Sequence, residues 1–158
     1  MVTAIIRRDT SPLTLVTNMN IERSYDFVGL SKAMEPYSYD WIGWDPEGIV
    51  LNNDNIVLTD KEGNFALFER NYDGSYDGHY LFGNARGNKA YKLAKGFIEF
   101  FFEEHPYVEK VWGLTPPDHK GALWLTKRLG FSFVCHEIQE GEPLLRFVLF
   151  NKDFNTDE

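Results

Sequence analysis

The sequence predicts an α/β (α+β) domain built on a mixed, mostly antiparallel sheet with helices on both faces. Three observations carry that expectation. Short apolar segments separated by Asn-, Asp- and Gly-rich turns fill residues 49 to 82, the pattern of strands joined by hairpins. From Ala90 the apolar residues Ala90, Leu93, Ala94, Phe97, Ile98 and Phe101 recur at the spacing of one buried helix face. That helix lies between two strand-like segments, near residues 80 and 112, and a helical crossover joins parallel strands. The 158 residues fit one domain spanning 1–158.

Val2 to Arg8 reads as an opening strand. Residues 9 to 48 carry only fragments of helical periodicity (Leu13, Val16, Met19, Tyr25, Phe27, Val28, Leu30, Met34), enough for one or two short helices. The aromatic cluster Tyr37, Tyr39, Trp41 and Trp44 follows, then a turn at Asp45-Pro46-Glu47-Gly48. Ile49–Leu51 and Ile56–Thr59 are strand candidates, with a hairpin turn at Asp60–Asn64 and a strand at Phe65–Arg70. The loop Asn71–Gly78 has two Asp-Gly steps; it lacks the ligand ladder and closing Glu of a calcium loop. Gly78–Phe82 is the strand before the long helix, which His105-Pro106 ends. Val108–Thr115 is the next strand. A helix over Gly121–Leu129 follows, with Asp118 as its N-cap and Gly130-Phe131 in a Schellman arrangement. Phe133–Ile138 and Leu144–Phe150 close the chain, and the second is apolar enough to lie inside the sheet.

Composition narrows the function classes. No apolar run reaches the length of a membrane span, and no Cys/His cluster has metal spacing, so neither membrane nor metal is expected. The single Cys135 excludes an internal disulfide and favours a reducing, cytoplasmic compartment. Cys135 and His136 alternate on a strand, so one of them is expected to be buried. Net charge is −8, yet residues 86 to 128 hold eight Lys/Arg against five Asp/Glu. That local excess is too small for a nucleic-acid footprint; it fits an anionic cofactor. It surrounds Gly83-Asn84-Ala85-Arg86-Gly87-Asn88-Lys89-Ala90, a turn with a candidate buried arginine feeding a helix. Backbone N–H groups and the helix dipole make such a terminus an anion site, most often for phosphate. The plainer reading is a strand-to-helix connection with Asn88 as N-cap.

From residue 49 the order β-β-β-α-β-α-β-β resembles the GNAT fold of the Gcn5-related N-acetyltransferases. The strand, Arg-Gly turn and long helix over Phe82 to Phe102 carry the likeness. So does the second helix, which ends in the family's Ala-x-x-Leu-x-x-x-Leu-Gly-Phe as Ala122, Leu125, Leu129, Gly130 and Phe131. The family's pyrophosphate turn reads Q/R-x-x-G-x-G/A. Arg86-Gly87 keep its start, while Lys89 stands where glycine is usual. His119 replaces the Asn that often opens the second helix. Thr126 stands where the family carries a tyrosine that acts as general acid toward the coenzyme thiolate.

The resemblance implies an N-acetyltransferase using acetyl-CoA as co-substrate, with a small-molecule or protein amine as acceptor. The co-substrate would lie between the strand ending at Leu81-Phe82 and the strand at Val108–Leu114. Arg86, Gly87, Asn88, Lys89 and Ala90 would hold the pyrophosphate, with His119 and Thr126 on the second helix. Base candidates are His79 and Glu69, each equally readable as a solvated strand residue. His105 is more simply a partner of its helix C-terminus. The Arg-Gly-x-x-Ala variant with a Pro-rich lead-in to the second helix also resembles GNAT-like proteins of short-tailed phages. That alternative implies an inactive scaffold used in virion assembly, with virion proteins or a second copy of the chain as partners.

Overall fold

The computed structural model describes residues 20–37 and 43–154. The expected opening strand, Leu13, Val16, Met19, Tyr39 and Trp41 lie outside those residues. Described elements run β1 (Glu22–Arg23), α1 (Phe27–Met34), a 3-10 turn (Glu35–Tyr37), α2 (Pro46–Leu51), β2 (Asn55–Thr59), β3 (Phe65–Arg70) and β4 (Tyr76–Leu81). Then come α3 (Gly87–Glu104), β5 (Lys110–Thr115), α4 (Lys120–Arg128), β6 (Ser132–Gln139), β7 (Glu142–Phe150) and a final 3-10 turn (Asn151–Asp153).

The strands form one sheet in the order β1-β2-β3-β4-β5-β7-β6. Every neighbouring pair is antiparallel except β4 and β5, which run parallel as the crossover predicts. Both faces are covered. On one face α3 buries Phe97, Ile98 and Phe101 completely against Phe68, Tyr76 and Val111. On the other, Leu30 and Met34 of α1 and Ile49 and Val50 of α2 pack on Val57, Leu67 and Leu81. Sandwiched between these layers, β2 is buried at every position, which explains its unbroken apolar run.

Asp26 caps α1 by accepting from the Gly29 N–H at 2.9 Å. Ile49–Leu51, expected as a strand, is instead the end of α2. Pro46 sits in the first turn of that helix, where its missing N–H costs nothing, and a three-residue apolar run fits either element. At the far end of α3, His105 Nδ1 lies 3.0 Å from the Phe101 carbonyl, so the ring serves the helix end. Gly130 (φ +98) donates to the Lys127 carbonyl and Phe131 to that of Thr126, the Schellman pair expected at the end of α4. Strand β7 is interior, between β5 and β6. Cys135 and His136 are both exposed, contrary to expectation, because among the described residues no helix covers that part of β6, the last strand of the sheet. Among the described residues, no helix is long and apolar enough to cross a membrane, and no cluster of His, Cys, Asp or Glu could hold a metal ion.

Candidate active site

The parallel strands β4 and β5 pair only at Tyr76–Val111 and Asp77–Trp112. Beyond that register they part, and the gap opens into a cleft of about 780 Å³. Its walls come from the ends of β4 and β5, the start of α3 and one side of α4. His79, Leu81, Phe82, Arg86, Gly87, Ala90, His119 and Thr126 all line it. Residues far apart in the chain thus meet because the crossover helix returns the chain to the strand beside the one it left.

Helix α3 opens on the cleft with its positive end bare. No side chain caps it and no acid lies in its first turn. The first N–H groups of a helix have no intrahelical partner. Its N-cap is Arg86 in extended conformation (φ −141°), not Asn88, because Gly87 takes a left-handed φ of +59° and turns the chain into the helix one residue after Arg86. Arg86 is exposed rather than buried, and its guanidinium Nη1 donates to the Ala85 carbonyl at 2.7 Å. Asn88 and Lys89 do not line the cleft. They border a separate depression with Asp60, Glu62 and Lys92.

The turn between β4 and α3 is held from below by Asn64, which is fully buried. Its Oδ1 accepts from the Gly83 N–H at 2.8 Å, while its Nδ2 donates to Asp60 Oδ2 at 2.9 Å. Gly83 has no room for a side chain, since a Cβ there would lie 2.7 Å from the Gly63 carbonyl oxygen. The sequence marked Asn64 only as a turn residue; its reach to Gly83 is a tertiary contact that no local pattern displays.

His119, not Asp118, is the N-cap of α4. Its Nδ1 accepts from the Ala122 N–H at 3.1 Å, so the imidazole does the capping work that the resemblance assigns to Asn.

The two base candidates are partners. His79 Nε2 lies 2.7 Å from Glu69 Oε1, with the two side chains 30% and 27% exposed. Glu69 does not line the cleft itself; it touches the site through His79.

Tyr80, which the sequence offered only as a strand residue, also lines the cleft. Its hydroxyl is buried and has no hydrogen-bond partner among the described residues. Its ring stacks parallel on Phe82 at 5.8 Å, and burial pushes its pKa far above the usual phenol range. Alternation along β4 was the available signal: a residue next to His79 must point to the opposite face.

No protein-family model and no curated protein matches the chain. Solved structures do. A point mutant of spermidine N-acetyltransferase SpeG from Vibrio cholerae matches with a TM-score of 0.69 and 12% identity, over 87% of this chain and 98% of that one. AAC(6')-Ib in complex with parmomycin and acetyl-CoA matches with a TM-score of 0.66 and 17% identity, over 88% and 97%. An acetyltransferase of the GNAT family from Bacillus anthracis matches with a TM-score of 0.62 and 11% identity, over 84% and 95%. At these identities the likeness is one of fold. Among the described residues, the seven-stranded sheet with one parallel pair and helices on both faces has the fold of the GNAT acetyltransferases.

Proposed function

We propose that this chain is an acetyl-CoA-dependent N-acetyltransferase that acts on an amine, most simply a small-molecule amine. One observation carries the reading: the parting of β4 and β5, the uncapped N-terminus of α3 and the His79–Glu69 pair all meet at one cleft. The residues present fit the co-substrate. The N–H of Gly87, first in the helix, suits a phosphate oxygen, and Arg86 lines the same cleft. Leu81, Phe82 and Leu125 supply apolar wall for a flexible, weakly polar arm. When bound, acetyl-CoA supplies an activated acyl group as a thioester.

The chain's own task is proton management. An amine arrives as an ammonium ion and must lose a proton before it can act as nucleophile. The His79 imidazole, held by Glu69, takes the amine proton. Glu69 orients the ring and stabilises the imidazolium that forms. Thr126 is a poor acid for a thiolate, so it does not supply the second half of the exchange.

The presence of Thr126 at that position favours a second reading, in which the scaffold persists without chemistry and serves virion assembly. Titration of acetyl-CoA into the purified protein separates the two, because only the enzyme requires the cleft to hold coenzyme.

A further inference from the structure

A second depression, of about 350 Å³, lies beside the cleft and is lined in part by Asp73, Ser75, Asp77, Trp112 and Arg146. Strand residues two apart share a face. Asp77 stands two before His79 on β4, Trp112 two before Leu114 on β5, and Arg146 two after Leu144 on β7. His79, Leu114 and Leu144 line the cleft, whereas Asp77, Trp112 and Arg146 line the depression. Asp77 pairs with Trp112, and Arg146 with Leu114. Three neighbouring strands thus step together from one cavity to the other, on the face that carries His79. The step is about 7 Å, a span that a stem of about four methylenes covers.

The depression holds both signs of charge in fixed places. Arg146 donates from Nε and Nη2 to the carboxylate of Glu137, and its guanidinium lies 5.2 Å from the centre of the Trp112 ring. Among the described residues its Nη1 has no hydrogen-bond partner. The indole is anchored by donation from Nε1 to Ser75 Oγ at 3.1 Å. Asp77 Oδ1 accepts from Asn71 at 3.1 Å, and its Oδ2 has no partner among the described residues. Ser75 donates to Asp73 from its hydroxyl and its backbone N–H, and these bonds hold the Asp73 carboxyl below the usual carboxylate range. A guanidinium edge and a carboxylate oxygen, both available beside an indole, suit a zwitterion. We propose that the acceptor is a free α-amino acid of lysine length, held by its α-carboxylate on Arg146 and its α-ammonium on Asp77, with its side-chain amine delivered to His79. The proposal rests on the acetyl-CoA reading above and names the class of amine. A lysine within a peptide lacks both charges of the head, and a polyamine lacks the carboxylate. In the transfer the side-chain nitrogen bonds to the acyl carbon as the carbon–sulfur bond breaks. The sulfur leaves with the bonding electron pair and takes a proton from solvent, while the amine proton passes to His79.

Two readouts test it: calorimetry with coenzyme A present, which needs no turnover, and initial rates with acetyl-CoA. L-Lysine is compared with cadaverine, which lacks the carboxylate, with 6-aminohexanoate, which lacks the α-amine, and with Nα-acetyl-lysine amide, which lacks both charges. Lysine should bind, and its kcat/KM should exceed that of each analogue on the order of tenfold or more. Arg146→Gln should bring lysine level with cadaverine, and Asp77→Asn should bring it level with 6-aminohexanoate. Asp77→Asn keeps the shape of the side chain and an acceptor for Asn71, so it reports even where the Arg146 variant, which strips Glu137 of its partner, loses its fold. No heat from lysine with coenzyme A bound, a kcat/KM no higher than those of the analogues, or a preference over 6-aminohexanoate that survives Asp77→Asn overturns the proposal and leaves coenzyme binding intact. Failure of the wild type to bind coenzyme A overturns the acetyl-CoA reading itself, and this proposal with it.

Discussion

His79 Nε2 lies 2.7 Å from Glu69 Oε1, across the antiparallel pair β3–β4 and on the face that carries Leu67 and Leu81. The contact joins a residue inside the cleft to one behind it. In the proposed reaction the two contribute unequally. His79→Ala should lower kcat by about 10²–10⁴-fold with the KM for acetyl-CoA unmoved. Glu69→Gln, which keeps the shape and removes the charge, should cost a smaller factor. Steady-state assays on an amine panel measure both, and a His79→Ala enzyme with undiminished kcat would place the base elsewhere.

Asn64 supports the turn that begins α3. Asn64→Ala would remove the side-chain acceptor of the Gly83 N–H and the donor to Asp60 Oδ2, while Asp60 Oδ1 keeps the Glu62 N–H and the backbone N–H of residue 64. Denaturant unfolding should show a loss of about 2 kcal/mol, and acetyl-CoA binding should weaken beyond what that loss explains. Equal binding by a destabilised variant would mean that the turn keeps its shape without this prop.

Phe97 is fully buried on the sheet-facing side of α3. Phe97→Ala should cost about 3–5 kcal/mol by urea denaturation. A loss under about 1 kcal/mol would contradict the packing of this helix, and with it the placing of the helix N-terminus at the cleft.

Glu99, also on α3, has its carboxyl pKa raised, first by burial and then by Glu103, with Lys95 opposing. The folded-state pKa therefore lies above the unfolded one, and the folded protein holds the proton more tightly. The carboxylate then costs stability above the folded pKa and nothing below the unfolded value. Glu99→Gln should stabilise the protein at pH 7 by less than about 1 kcal/mol, since the group is only half buried and its charge stays partly solvated. The gain should vanish below about pH 4. Thermal melts across that range measure it; a gain that persists in acid would point to packing, not charge.

What the sequence displayed follows from the range of each interaction. The face of α3, the Schellman end of α4 and the parallel β4–β5 pair are written in periodicity, in a glycine position and in a crossover, all of which are local. Ile49–Leu51 misled because three apolar residues have no resolvable period, and Pro46 could be read as a turn or as a first helical residue. Asn88 and Asp118 look like caps by residue type, but the left-handed turn at Gly87 and the ring nitrogen of His119 placed the caps at Arg86 and His119. His79 and Glu69 were each visible alone; their contact required the register of β3 on β4. For Tyr80, strand alternation gave only the face opposite His79; its unpartnered hydroxyl becomes apparent only once the described neighbours are in place.

The central claim is that the cleft between β4 and β5 holds acetyl-CoA by its pyrophosphate at the start of α3. Isothermal titration of acetyl-CoA into the wild type and Gly87→Val tests it most directly. Gly87 has open space around its Cβ position and a φ of +59°, so valine there would strain the turn and fill the volume an anion needs. The account predicts about micromolar affinity for the wild type, weakened by added salt, and no binding by a Gly87→Val protein whose circular dichroism is unchanged. No heat from the wild type at millimolar acetyl-CoA would contradict it.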